Sequence, residues 1–201
     1  TKKMAKLYDA ILCLFPFEPP YFEKEGMKAY FVGHPVLEND FLKGNRNRFL
    51  KAHKLDEKTE TLGVFFGSRR GELKRTGVIL ANVAKQWLRE KEGRALIVPT
   101  LPHLREDVLS LLSLRAQRSN PEAGSIDSWI ASSDSPPRND KIVVIDNKAD
   151  AIASLDKAIA VSGTVGLELS VASVPHLIAY KANPLTFWVV KQLVKVKYAH
   201  L

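Results

Sequence analysis

The feature that most constrains the fold is a repeated alternation of short, largely apolar runs with longer stretches whose apolar residues recur at helical spacing. The strand-like runs are residues 10–15, 28–32, 61–66, 95–98, 141–145, 158–161 and 176–179. The helix-like stretches are residues 39–54, 72–92, 103–114, 148–155, 164–172 and 185–196. Nearly continuous apolar strands that alternate with helices are typical of a parallel sheet covered on both sides. We therefore predict an α/β fold, with a Rossmann-like parallel sheet and helices on both faces.

One segment breaks this alternation. Residues 115–140 are rich in Ser, Asp, Asn and Pro and show no sustained apolar period. A connection between a helix and a strand usually takes about 2–6 residues. Because this composition buries too little apolar surface to order itself, we predict a disordered insertion. The alternative is a functional lid.

Charge and cysteine content narrow the class of partner and the compartment. The formal net charge is +8, which favours anionic partners such as nucleic acid, phosphorylated small molecules or acidic membrane surfaces. A single cysteine excludes a disulfide within the chain, so we predict a reducing, cytoplasmic compartment. No Cys/His cluster has the spacing of metal ligands, and we predict neither a metal nor a cofactor.

The loop after the strand-like run 61–66 is the first candidate binding site. Gly67, Ser68 and Arg69 stand between this run and a helix, with Glu72 in the first turn. Glycine permits a sharp turn, and the first amides of a helix favour an anion. Arg69 adds a guanidinium that suits a diphosphate. The alternative is a glycine turn with two solvated arginines, Arg69 and Arg70.

The loop after the run 158–161 is the second candidate. Ser162, Gly163 and Thr164 precede a helix that carries Glu168. The hydroxyls and amides either cap the helix or hold phosphate oxygens. Glu168 shares a helix face with Thr164, where its carboxylate would accept hydrogen bonds from a ribose. The alternative is a capped helix with an exposed glutamate.

A third stretch, residues 180–198, combines aromatic, basic and apolar residues, among them Phe187, Trp188, Lys191 and Lys195. Helices of this composition lie on anionic membranes. The alternative places the apolar side in the core and the lysines in water.

Taken in order, these motifs resemble those of the lipid-A-disaccharide synthase family. The matching stretches are residues 14–18, 21–22, 31–35, Gly67–Arg69 with Glu72, Ser162–Thr164 with Leu167 and Glu168, and residues 180–188 through Lys195. They cover nearly the whole chain apart from residues 115–140. The family's proline before Gly-Ser-Arg is Phe66 here.

The resemblance implies a GT-B fold, in which two Rossmann-like domains face one another. Residues 1–34 would end the acceptor-side domain, and residues 35–201 would form the donor-binding half. The implied reaction joins a UDP-linked diacylglucosamine to diacylglucosamine 1-phosphate and forms lipid A disaccharide 1-phosphate and UDP. It implies no metal, no cofactor, and a cytoplasmic location that is peripheral on the anionic inner membrane.

The resemblance also implies residue roles. Gly67, Ser68, Arg69, Glu72, Ser162, Gly163, Thr164 and Glu168 would bind UDP. Arg69 would stabilise the departing diphosphate, and Glu168 would hold the ribose. The general base is expected in the amino-terminal domain, so no other catalytic residue is predicted here. The isolated chain is not expected to turn over: it needs a separate amino-terminal half, or it is a decayed gene product.

Two other functions remain open at this point. One is another GT-B enzyme that uses a UDP-sugar, such as a transferase of cell-wall precursors or an epimerase. The segment Pro184-Leu185-Thr186-Phe187-Trp188 argues against it. The other is a non-catalytic module that binds anionic lipid or nucleic acid. The basic residues are spread along the chain instead of forming one run, so we predict no nucleic-acid partner.

Overall fold

The computed structural model describes residues 1–38, 43–113, 141–145, 148–161, 163–179 and 181. The chain forms two compact units, residues 1–39 and 40–201. Residues 115–140 and 185–196, for which an insertion and a helix are predicted, lie outside the described residues.

The smaller unit is built around two short parallel strands. Its elements are α1 (Lys2–Ala5), β1 (Ala10–Cys13), α2 (Pro19–Glu23), β2 (Lys28–Phe31) and a 3-10 helix (Pro35–Glu38). Strand β1 pairs with β2, and Cys13 lies opposite Phe31. The carboxylate of Glu18 accepts hydrogen bonds from the amides of Leu14 and Phe15, which closes the turn after β1. Both predicted strands are confirmed, whereas α1 and α2 were not predicted.

The larger unit contains a five-stranded parallel sheet. Its elements are α3 (Arg46–Ala52), β3 (Glu60–Phe65), α4 (Arg70–Glu90), β4 (Arg94–Pro99), a 3-10 helix (Pro102–Leu104), α5 (Arg105–Leu112), β5 (Lys141–Ile145), α6 (Ala149–Ala153), β6 (Lys157–Val161), α7 (Thr164–Val171) and β7 (His176–Ala179). The strand order is β5-β4-β3-β6-β7, and every pair is parallel. The predicted α/β fold is confirmed. Among the described helices, none combines the length and apolarity that crossing a bilayer needs.

Central strand β3 shows why both faces of the sheet are covered. Successive side chains of a strand point to opposite faces. Leu62 and Val64 belong to the core cluster that includes Leu73 and Leu80 of α4. On the other face, a Cβ added to Gly63 would lie 2.6 Å from Cδ1 of Leu155, just after α6. Strand β3 therefore packs against side chains on both of its faces.

The buried face of α4 agrees in part with the one that the sequence predicts. The apolar positions at helical spacing, which predict one buried side, are Leu73, Val78, Leu80, Val83, Ala84, Trp87 and Leu88. Leu73, Leu80, Ala84 and Leu88 are buried, but Val78 and Val83 are 56% and 46% exposed. Thr76 and Gly77 are buried instead. A Cβ on Gly77 would lie 2.8 Å from Cδ1 of Leu111, so a small residue is what lets α5 approach α4 here. Close approach between helices therefore adds Thr76 and Gly77 to the buried face of α4, which apolar spacing alone does not predict.

An ion cluster joins the first residues of three strands at the amino edge of the sheet. Glu60 accepts hydrogen bonds from Lys157 Nζ at 2.6 Å and from Arg94 Nε at 3.1 Å. The guanidinium of Arg94 lies over the Trp87 ring, 4.4 Å from its centroid. The hydrogen bond from Lys157 is the main cause that lowers the pKa of Glu60 below its ordinary value. This edge is closed by paired charges.

A buried hydroxyl adds a second link at the same edge. Thr61 is fully buried, and its Oγ1 donates to the Ser154 carbonyl at 2.6 Å. The same oxygen accepts from the Asp156 amide at 3.0 Å. This bonding ties β3 to the segment between α6 and β6.

Two valine substitutions of matched shape test the value of this hydroxyl. Thr61→Val removes a bonded buried hydroxyl, and we expect a loss of about 1–3 kcal/mol in the free energy of unfolding. Thr100 is also buried, but its Oγ1 has no hydrogen-bond partner among the described residues. Thr100→Val should therefore be neutral or stabilising. Urea denaturation measures both, and equal losses would contradict the assignment.

The lowered pKa of Glu60 predicts that the free energy of unfolding falls at acid pH. A carboxyl whose pKa is lower in the folded state adds stability above its unfolded pKa of about 4.3, and that stability is lost as the pH falls through the folded value. Glu60→Gln should lower stability at pH 7 by roughly 1 kcal/mol and flatten the loss below about pH 4. Denaturation at several pH values measures this. Glu57→Gln, at an exposed position, is the control. If the plot of unfolding free energy against pH for Glu60→Gln ran parallel to that of the parent, the prediction would be refuted.

Candidate functional site

The strand order creates a topological switch point between β3 and β6. From β3 the chain adds β4 and β5 on one side, and then β6 and β7 on the other. Connections that leave two neighbouring parallel strands in opposite directions open a crevice beyond their carboxyl ends, where ligands of such sheets bind. The loop with Gly67 follows β3, and the loop with Gly163 follows β6. The structure thus places both predicted loops at the switch point.

The loop after β3 is shaped by Glu72. Its Oε2 accepts hydrogen bonds from the amides of Ser68 at 3.0 Å and Arg69 at 3.3 Å. Gly67 has φ +91, and a Cβ there would lie 2.4 Å from the same Oε2. Only glycine adopts this conformation without strain and leaves room for the carboxylate. Glu72 therefore caps the start of α4.

This cap changes what the first candidate site can do. The amides of Ser68 and Arg69, just before α4, already bind an internal carboxylate. The side chain of Arg69 remains 83% exposed, with Nη1 3.7 Å from Glu72 Oε1. An anion that arrives here would meet the guanidinium of Arg69 before it met free amides.

The start of α7 has different chemistry. Gly163 is at the N-cap position, and among the described residues no side chain makes a capping hydrogen bond there. Thr164 is exposed, and a Cβ added to Gly163 would have nothing within 4 Å. The first amides of a helix without a side-chain cap are open donors at the positive end of its dipole. Ser162 lies outside the described residues.

Glu168 lies one turn into α7, and its partner was missed by sequence reasoning. Its side chain is 13% exposed, and Oε2 lies 3.4 Å from Nζ of Lys148. Lys148 is in the connection from β5 to α6. That connection leaves the same carboxyl edge of the sheet, which was the one available signal for Lys148.

The two predicted loops are not bonded to each other within the part of the chain that the structure describes. There, no hydrogen bond or ion pair joins a side chain of Gly67–Glu72 to one of Gly163–Glu168. The part of the chain that the structure describes also contains no group of three or more His, Cys, Asp or Glu side chains placed to hold a metal ion.

Comparison with known proteins gives a consistent result. The family model for lipid-A-disaccharide synthetase matches residues 1–135 and 130–201. The lipid-A-disaccharide synthase of Rhodospirillum centenum is 34% identical over 100% of this chain and 45% of its own length. That of Ruegeria pomeroyi is 34% identical over 96% of this chain and 45% of its own length. That of Geobacter metallireducens is 33% identical over 98% and 46%. The chain thus spans less than half the length of these curated relatives.

Two Gly→Ala substitutions separate the role of the Gly67 turn from general helix propensity. Gly67→Ala should lower the free energy of unfolding by about 1–2 kcal/mol, because of its positive φ and the Glu72 carboxylate. Gly71, in the first turn of α4, has only ordinary contacts around an added Cβ. Gly71→Ala should leave stability unchanged or raise it by about 0.5 kcal/mol. Thermal unfolding compares the two, and a harmless Gly67→Ala would refute this account of the turn.

Proposed function

The chain belongs to the lipid-A-disaccharide synthase family, and from that membership we propose that its larger unit is the donor-binding half of a glycosyltransferase of lipid A biosynthesis. The proposed reaction transfers diacylglucosamine from its UDP derivative to diacylglucosamine 1-phosphate and releases UDP. The observation that carries the proposal is the position of Gly67–Arg69 and Gly163–Glu168 on the two sides of one switch point.

The proposed chemistry at this site is stabilisation of the leaving diphosphate. Negative charge builds on the UDP oxygens as the sugar departs, and donors fixed in advance toward that charge lower the barrier. The exposed guanidinium of Arg69 presents a planar fork of donors that matches two phosphate oxygens. The open amides at the start of α7 would supply further donors.

The proposed ribose contact is Glu168. A carboxylate accepts hydrogen bonds and so suits the hydroxyls of a ribose. Thr164 and Glu168 lie in the same helix, four residues apart, which places them on one face. A nucleotide with its phosphate at the start of α7 would then present its sugar toward Glu168.

The smaller unit supports the proposed division into acceptor-side and donor-side parts. Parallel sheets normally have more than two strands and are covered on both faces. Here Leu12, Tyr30 and Phe31 of the two strands are more than half exposed. We propose that these two strands are the last strands of an acceptor-side sheet. We also propose that the general base lies in the rest of the acceptor-side domain, which a separate chain could supply. The general base must lie within hydrogen-bond reach of the attacking hydroxyl.

The proposed partners are a nucleotide sugar and a lipid phosphate, both anionic, used at the cytoplasmic surface of the inner membrane. The net charge of +8 supports a location on an anionic membrane surface.

Titration with UDP tests the proposed donor site. We expect saturable binding by the parent chain and about tenfold or weaker binding by Arg69→Ala, because a charge-assisted contact to phosphate is lost. Arg75→Ala removes the same charge from an exposed position on α4 and should bind UDP like the parent. Calorimetry gives the dissociation constants. A folded parent that fails to bind UDP, or an equal loss in both variants, would sink the assignment.

A further inference from the structure

We infer that Lys148 is a positioning residue of the nucleotide site and makes that site favour a phosphorylated nucleotide over the bare nucleoside. This inference rests on the proposed function, since it concerns the same crevice. It adds a residue that neither the motifs nor the family resemblance assigns.

The geometry supplies the first step. Lys148 and Glu168 belong to different connections of the sheet, yet Nζ of one lies 3.4 Å from Oε2 of the other. The glutamate side chain is 13% exposed and the lysine side chain 47% exposed. The carboxylate is thus mostly withdrawn from water, while the ammonium remains open to it.

Charge supplies the second step. A carboxylate with little access to water is costly without a partner, and it also repels a diphosphate brought close to it. The ammonium of Lys148 offsets both effects. Asp150, two residues along the chain, pairs with the guanidinium of Arg48. The ammonium of Lys148 lies beside Glu168.

Hydrogen bonding supplies the third step. A carboxylate has two oxygens, each of which accepts more than one hydrogen bond. With Oε2 of Glu168 3.4 Å from the ammonium of Lys148, Oε1 would be the oxygen that accepts a hydrogen bond from a ribose hydroxyl. Lys148 thus acts mainly on the phosphates through its charge, and only weakly on the sugar through Glu168.

The test compares UDP with uridine on a set of variants. In Lys148→Met, we expect UDP affinity to fall roughly three- to tenfold and uridine affinity to change by less than about twofold. Lys148→Arg should restore the preference for UDP, since it restores the charge. Lys148→Met combined with Glu168→Gln should recover part of the UDP affinity, because the unpaired carboxylate is then gone. Lys58→Met, an exposed change before β3 at the opposite edge, is the matched control.

The measurement is calorimetric titration with UDP, with uridine measured by displacement, on variants whose thermal unfolding matches the parent. An equal fall for both ligands in Lys148→Met would mean a merely structural role and would overturn the inference. UDP and uridine affinities that both stay at the parent's values in Lys148→Met would also overturn the inference. The proposed donor site would still stand in that case if the parent binds UDP. A folded parent that binds neither ligand would overturn this inference and the proposed function together.

Discussion

The parallel pairing of β3 with β6 is the constraint on which the rest of the larger unit depends. It sets Phe65 beside Ala160, so two strands far apart in sequence end at the same edge. Their amino ends are held by Glu60, which binds Lys157 of β6 and Arg94 of β4. Ion pairs therefore link the strands at the amino edge of the sheet. The connections at the carboxyl edge take no part in these ion pairs. That separation lets the fold hold its strands in register without using the groups that face the crevice.

The two helices that start at this crevice have different chemistry. Helix α4 carries its own anion, because Glu72 caps the amides of Ser68 and Arg69 and Gly67 makes room for it. Helix α7 begins at Thr164, after Gly163, and no side chain in the described part of the chain caps it in this way. A phosphate group would thus find a side-chain cation at one helix and backbone donors at the other. The guanidinium of Arg69 can move with its long side chain, whereas the amides at the start of α7 are fixed in the backbone. Only the guanidinium could therefore move along with a departing phosphate group.

Most of the fold was predicted from local features of the sequence, namely apolar runs and the residues that follow them. Runs such as residues 95–98 are apolar on both faces because both are buried, and Gly67 and Thr164 follow strands directly in sequence. The buried face of α4 was predicted only in part, because periodicity weighs apolarity alone. Gly77 is buried by Leu111 of a neighbouring helix, and Val78 beside it is not, a difference that only tertiary packing decides. The contact of Lys148 with Glu168 was out of reach for the same reason. It spans two connections whose proximity is set by the order of the strands.

The charges at the crevice also change the meaning of the excess of basic residues. A net charge of +8 suggests simple attraction of anions. At the crevice, however, Arg69 lies 3.7 Å from Glu72, and Lys148 lies 3.4 Å from Glu168. Each of these two cations already has a carboxylate beside it. The binding free energy of an incoming nucleotide would therefore be only the difference between the new ion pair with phosphate and the existing pair with the carboxylate. Under the proposed function, weak binding of this kind would suit a transferase, because interactions that held substrate, transition state and product equally well would not speed the chemical step. We propose that such a partly neutralised crevice would stabilise the leaving diphosphate more as negative charge develops on it.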